Sequence, residues 1–373
     1  MNPTTRLTLT GFLASLILFA TTYSMAKDQT TSKPVRLGVV GLVHTHVHAI
    51  LGRPDRGDVE IVGIAEPNTE LAERYAKQHG YGMDLVYPSL EEMVEATQPD
   101  AVAAFNTIHG HLEVVRVCAP RGIHVMVEKP LAVCLAHARD MAELARKHNI
   151  LLLTNYETTW YASNAKALKL VREQALGKLR KVVVHDGHPG PKEIGVNVEF
   201  LEWLVDPELN GGGALPDFGC YGANLVSQLM DNERPLSVTA ITQQFKPDVY
   251  PDVEDEATIL IRYPKMIGIV QASWNWPFPR KDMEIYGETG QVICVDGSRL
   301  RVRFNDDAKE REITAPRIPS PRDDPFSLLA AAVRGKVEIQ PTDLSSLENN
   351  LLVMEILEAA KQSAEEGRTI ELD

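Results

Sequence analysis

Between Val35 and Val127, short runs rich in Val, Ile and Ala alternate with segments whose apolar residues recur at helical spacing. Alternation at such short spacing means βαβ units, which build a parallel, doubly wound sheet with helices on both faces. Strands are expected at 35–40, 59–65, near Leu85, at 101–105 and at 123–127. Helices are expected between them, ending near Arg53, at 69–79 and 90–96, and from 106–111 to about 120. The last strand runs directly into Glu128-Lys129-Pro130, which sets a charged pair at the carboxyl end of the sheet. That edge is where open α/β sheets bind ligands. Burial at the mouth of an apolar strand is expected to lower the Lys129 pKa toward the range of proton transfer. Pro130 fixes the turn, because its ring locks φ. An ordinary strand-end ion pair is the alternative reading of these three residues.

The chain has 373 residues, enough for a sizeable core, and that length favours two domains. A formal charge of -13 excludes non-specific binding to nucleic acid or to an anionic membrane surface. Arg6 is followed by an uncharged, mostly apolar run from 7 to 26 that closes on Ser24-Met25-Ala26. This pattern is expected of a Sec-type signal peptide over residues 1–26, cleaved before Lys27, which addresses the chain to the periplasm or the medium. An uncleaved anchor is the alternative, since the run is about long enough to span a bilayer. Residues 27–34 read as a linker, 35–155 as the first domain and 156–373 as the second. Cys118, Cys134, Cys220 and Cys294 have no metal-knuckle spacing and read as small buried hydrophobes.

A dinucleotide site calls for G-x-G-x-x-G after the first strand, but only Gly41 is present; Val43 and His46 stand at the second and third glycine positions. Glu66, at the end of the second strand, has the spacing of an acid that binds a ribose hydroxyl. His44, His46 and His48 form one H-x-H-x-H run, and His109 and His111 follow the strand that this topology sets beside the first. They line a ligand cleft or hold a Zn-type ion; no ordered set of carboxylates or cysteines completes a metal site, and none is assigned.

Beyond residue 150 a polar-aromatic run, Asn155 to Tyr161, suits a sugar, and His188 and Trp203 follow it. Gly211-Gly212-Gly213 permits a backbone that side chains forbid, and Asp217 is expected at the following helix N-cap. Tyr221 lies one helical turn further on, so both point from one face. From 238 to 304 the pattern is strand and turn, which reads as an open, largely antiparallel sheet with one face free for a partner subunit.

Taken together, Glu128-Lys129-Pro130, His111 thirteen residues before His124, Trp203 leading to the triple glycine, Asp217-x-x-x-Tyr221 and the closing run from Pro341 to Arg368 resemble the glucose-fructose oxidoreductase / inositol dehydrogenase / rhizopine catabolism (Gfo/Idh/MocA) family. The resemblance runs from Val35 to the C-terminus. It implies an α/β chain with an N-terminal Rossmann domain, a C-terminal α/β domain with an open sheet, bound NAD or NADP, and hydride transfer at a carbinol carbon of a sugar or cyclitol; the Glu66 charge is expected to favour NAD over NADP. By position, Lys129, Asp217 and Tyr221 would be catalytic: Lys129 polarises the reacting oxygen and shares its proton, Tyr221 is the acid/base with its pKa lowered by the Lys129 cation, and Asp217 orients the substrate or the tyrosine. Gly41, Val43, His44, His46, Glu66, Asn106, His111, Glu128 and Lys129 would face the cofactor; Asn155, Trp160, His188 and Trp203 would face the substrate. Protonated His44 or His46 is expected to replace the lost glycine contacts by pairing with phosphate. A homodimer or homotetramer through the C-terminal sheet is expected. Two other activities stay open: glycoside cleavage that uses NAD transiently through a keto intermediate, and non-redox binding of a carbohydrate or metal.

Overall fold

A computed structural model describes residues 33–372 except 306 and 308, so the expected signal peptide lies outside the described residues. Six strands form the first sheet: β1 (Val35–Val40), β2 (Val59–Ala65), β3 (Val86–Tyr87), β4 (Ala101–Ala104), β5 (His124–Glu128) and β6 (Leu152–Asn155). All are parallel, in the order β3-β2-β1-β4-β5-β6. This is the order of doubly wound dinucleotide-binding sheets, with the crevice where the winding reverses, between β1 and β4. Helices on both faces leave the central strands no polar side; every residue of β4 is buried. Strand β5 reaches one residue further than expected and carries Glu128 inside the ladder, paired with Asn155.

The second sheet has nine strands: β7 (Leu179–Gly187), β8 (Ser237–Gln243), β9 (Glu256–Arg262), β10 (Ile267–Ser273), β11 (Arg280–Gly287), β12 (Gly290–Cys294), β13 (Arg299–Phe304), β14 (Arg311–Thr314) and β15 (Ile370–Glu371). They run in the order β14-β13-β12-β11-β7-β10-β9-β8-β15. Only the β7–β10 pair is parallel. Burial alternates along β8, β9 and β10, as it does when one face packs and the other is open. Ile241, Leu260 and Ile267 stand exposed on the open face.

The packed face carries the helix Ala214–Leu229, all of whose residues are buried between that sheet and the helix Leu347–Glu366. The triple glycine makes its entry possible. Gly211 and Gly212 have φ of 85° and 140°, and a Cβ on Gly213 would lie 1.9 Å from the Glu254 carbonyl oxygen. Asp217 is not the N-cap, contrary to expectation: the helix begins at Ala214, and Asp217 sits in its first turn. The capping acid comes instead from Glu254, whose carboxylate accepts from the Gly213 and Leu215 amides, each at 2.9 Å. Asp217 is thereby left free to turn inward.

The chain returns to the first sheet late. Phe326, Leu329 and Ala330 of the helix Pro325–Val333 join the apolar cluster of β1 and β4. Arg53 ties this helix down by bonding both Asp58 and the cap residue Asp324. No helix among the described residues is long and apolar enough to cross a membrane.

Candidate functional site

The end of β5 and the first turn of the Ala214–Leu229 helix meet face to face. Lys129, 5% exposed, donates to the main-chain oxygen of Asp217 at 3.0 Å and forms a short ion pair with its carboxylate. The other carboxylate oxygen accepts from Trp274 Nε1 at 3.0 Å. Burial favours the neutral amine of Lys129, but the Asp217 charge outweighs it and raises the Lys129 pKa. Burial likewise opposes ionisation of Asp217, and the Lys129 cation with the Trp274 bond still lowers its pKa. The expected drop in the Lys129 pKa is therefore reversed, because the partner that holds it came from a distant helix. Lys129 is a fixed cation.

Tyr221, 1% exposed, lies under two cations: Lys129 Nζ is 5.1 Å from its ring centroid and Lys281 Nζ 4.5 Å. A lowered phenol pKa was the expectation, and here too the sign is opposite. Burial, followed by the charges of Asp186 and Glu157, holds Tyr221 well above its ordinary value. It is a neutral phenol at working pH.

Three further acids and bases complete the site, and the sequence reading did not single them out. Asp186 and Lys281 are cross-strand partners on β7 and β11. Lys281 bonds Glu157 at 2.6 Å and stands 3.8 Å from Asp186. Burial pushes the Asp186 carboxyl up to about 8 against the pull of Lys281 and Lys129. With His188, Tyr161 and Phe218 they line a cavity of about 580 Å³. Asp186 had one legible signal, a charge ending an apolar strand; Lys281 had none, since a Lys is ordinary on a half-exposed strand.

The residues expected at the substrate divide. His188 lines the cavity, its ring edge-on to Phe218. Asn155 and Trp160 instead form a chain behind Glu128: Trp160 Nε1 donates to Asn155, which donates to Glu128 Oε1 at 2.7 Å, while His46 Nδ1 meets Glu128 Oε2 at 2.9 Å. Trp203 is buried against Phe200 and His44, outside the residues that line the cavity.

The histidines disperse. His48 pairs with His79 at 2.8 Å, and His109 meets His137 edge-on. His44, His46 and Glu128 bring ligand atoms within 4.8 Å of one another, but His46 and Glu128 are bonded to each other and His44 Nδ1 accepts the His46 amide. Burial first, then the charges of His46 and Lys129, hold the His44 pKa well below its usual value. His44 is neutral, so its expected pairing with phosphate as a cation fails for want of solvent. His111 is buried too, donating Nδ1–H to the Leu131 carbonyl at 3.1 Å, with its pKa pushed down to about 4 chiefly by burial. A base whose folded pKa lies below its unfolded one stabilises the fold above the unfolded pKa and loses that contribution as pH falls. From about pH 8 to about pH 5, His111 is expected to remove roughly 2 kcal/mol of unfolding free energy. Denaturant titrations at the two pH values check this, against His111→Gln, in which that loss should shrink.

Residues 35–156 match the model of an oxidoreductase family with an NAD-binding Rossmann fold, and residues 164–293 match the GFO/IDH/MocA C-terminal domain. The chain belongs to the Gfo/Idh/MocA family. It is 31% identical over 184 residues to a trans-1,2-dihydrobenzene-1,2-diol dehydrogenase of Xenopus tropicalis, a stretch covering 49% of this chain and about half, 52%, of that one. Against the Sus scrofa enzyme of the same name it is 26% identical over 268 residues, 71% of this chain and 72% of the other. An inositol dehydrogenase homolog from Azotobacter vinelandii complexed with NAD+ superposes with a TM-score of 0.79 at 20% identity, covering 91% of this chain and 98% of that one. A levoglucosan dehydrogenase in complex with NADH and levoglucosan gives 0.75 at 20% identity, covering 91% and 99%. These two likenesses show the fold.

The family's NAD fits the crevice between β1 and β4. Gly41, at φ 78°, lets the loop lie against the next strand: a Cβ there would be 2.8 Å from the Asn106 backbone. Two buried polar atoms at this edge, Asn106 Oδ1 and His111 Nε2, have no partner. Glu66 stands at the end of β2, its carboxylate accepting from the Leu42 and Asn68 amides. The amides of His44 and His46 are also bonded within the protein. So are those of Gly41, Leu42 and Val47, which leaves few amides on this turn of the Gfo/Idh/MocA chain for a pyrophosphate.

Proposed function

We propose that this chain is an NAD-dependent dehydrogenase that oxidises a carbinol carbon of a sugar, cyclitol or related diol. The observation that carries the reading is Lys129, a buried cation at the carboxyl edge of a dinucleotide-binding sheet, held by Asp217 over the ring of Tyr221. The names of the relatives, dehydrogenases of diols and inositol, agree with it.

Bound NAD supplies the hydride acceptor. Lys129 Nζ stands 5.1 Å from the Tyr221 ring centroid, so a substrate oxygen held at this edge would lie beside both groups. The ammonium stabilises the negative charge that develops there, and in a dry site that interaction is strong. In the reductive direction neutral Tyr221 gives its proton to the carbonyl; in the oxidative direction its own proton must first leave to solvent, and the phenolate then takes the proton of the alcohol as the hydride departs. Asp217 neither gives nor takes a proton; it fixes the Lys129 amine, and Trp274 fixes Asp217. Glu128, braced by His46 and Asn155, shapes the neighbouring edge.

Glu66 selects the nucleotide. Its carboxylate repels the extra phosphate of NADP, so NAD is expected to bind at least ~10-fold more tightly, about 1.4 kcal/mol. Calorimetric titration with both nucleotides tests the reading, and equal or tighter NADP binding contradicts it. Net NADH accumulation with a panel of polyols separates this activity from glycoside cleavage with transient redox.

Export belongs to the proposal, supported by the Arg6 and Ser24-Met25-Ala26 pattern. A mature amino terminus at Lys27 supports it, and a retained Met1 opposes it. The exposed Ile241, Leu260 and Ile267 support self-association through the open sheet face; a monomeric sedimentation mass speaks against it.

A further inference from the structure

Asp186 is a buried acid with nothing to hold. Its residue exposure is 1%, and neither carboxyl oxygen has a hydrogen-bond partner among the described residues. Lys281, the nearest cation, stops 3.8 Å short and is bonded to Glu157. Buried polar groups in folded proteins nearly always have partners, and leaving one bare costs about 1–3 kcal/mol. Asp186 therefore awaits a donor that the chain does not provide.

The surroundings define that donor. Asp186 lines the cavity of about 580 Å³ together with Lys281, His188 and Tyr161. Asp186 and Lys281 are direct cross-strand partners, so they project from one face of the sheet. Lys281 Nζ lies 4.5 Å from the Tyr221 ring, which puts the couple beside the phenol of the reacting centre. A bare carboxyl acceptor next to an ammonium donor is complementary to a hydroxyl, which donates to one and accepts from the other.

Resting on the dehydrogenase reading above, we propose that Asp186 and Lys281 grip the hydroxyl adjacent to the carbinol being oxidised, and that this couple is what selects a vicinal diol over a mono-alcohol. Cyclitols, sugars and dihydrodiols share that element. The carboxyl, pushed up to about 8 by burial, serves in either protonation state, since the neutral form keeps a carbonyl acceptor and adds a donor.

The test compares trans-cyclohexane-1,2-diol with cyclohexanol, using full-length protein saturated with NAD, in wild type, Asp186→Ala, Asp186→Asn and Lys281→Met. Wild type is expected to favour the diol in kcat/KM by at least ~10-fold, because the mono-alcohol leaves Asp186 unpaired. Asp186→Ala and Lys281→Met should bring that ratio near unity, mainly by raising KM for the diol, and Asp186→Asn should keep part of it. NAD affinity and circular dichroism report that site and fold are intact. An undiminished ratio in Asp186→Ala, or no preference in wild type, overturns the proposal. If neither alcohol is oxidised, the dehydrogenase reading fails for this class, and calorimetry with the diol still decides about Asp186. Saturable binding lost in Asp186→Ala supports the grip, and no binding to wild type overturns it.

Discussion

Lys129→Ala is expected to lower turnover at least ~100-fold and to destabilise the protein by roughly 3–5 kcal/mol. The two effects share one cause. Lys129 and Asp217 are 5% exposed each and neutralise one another, and once the amine is gone the Asp217 charge keeps only Trp274 as a side-chain donor. Breaking a buried pair from one side costs more than the pair is worth, because the remaining charge is stranded. A second variant separates stability from chemistry. In Lys129→Ala/Asp217→Asn the stranded charge is absent, so denaturant stability should largely return while turnover stays low. Wild-type turnover in either variant contradicts the role given to Lys129.

Tyr221→Phe should behave differently, with a loss of about 100-fold in kcat and little change in stability. The ring is held by packing, edge-on to Tyr156 with centroids 5.4 Å apart and beneath the Lys129 and Lys281 ammoniums, and phenylalanine keeps those contacts. Only the proton-carrying oxygen is lost. Because burial and the charges of Asp186 and Glu157 raise the Tyr221 pKa, its titration should place no inflection in the pH profile below about pH 10, and oxidation should rise with pH throughout that range. Steady-state kinetics on the substrate that wild type turns over checks both statements.

How much of this was legible in the sequence depends on the range of the forces involved. The first sheet was, because each strand announces itself locally: β1, β2 and β5 appear within a residue or so of where their apolar runs end. So were Lys129, Asp217 and Tyr221, since a motif fixes the side chain and the fold brings it to the edge. Their protonation was not. The Lys129 pKa rises rather than falls because Asp217 arrives from 88 residues away, and the Tyr221 pKa rises because burial comes first and acids on β7 and beside β6 add to it. His44 looked like a phosphate ligand in a glycine-poor loop, yet Phe200 and Trp203 from the second domain bury it. Asp217 looked like a cap until Glu254, 37 positions on in the chain, took that duty. Trp203 was expected to meet substrate and instead seals the neighbourhood of His44. In each case the error lies in a long-range contact, which periodicity does not encode.

The central claim is that a carbinol C–H leaves as hydride beside Lys129 and Tyr221. Carbon-deuterated polyols, incubated with NAD and the purified protein, test it most directly when the nucleotide is weighed by mass spectrometry. Deuterium should appear in the reduced nucleotide with wild type and fall by about 100-fold in rate with Tyr221→Phe. Polyol and NAD both bound, with no deuterium reaching the nucleotide, would contradict the account.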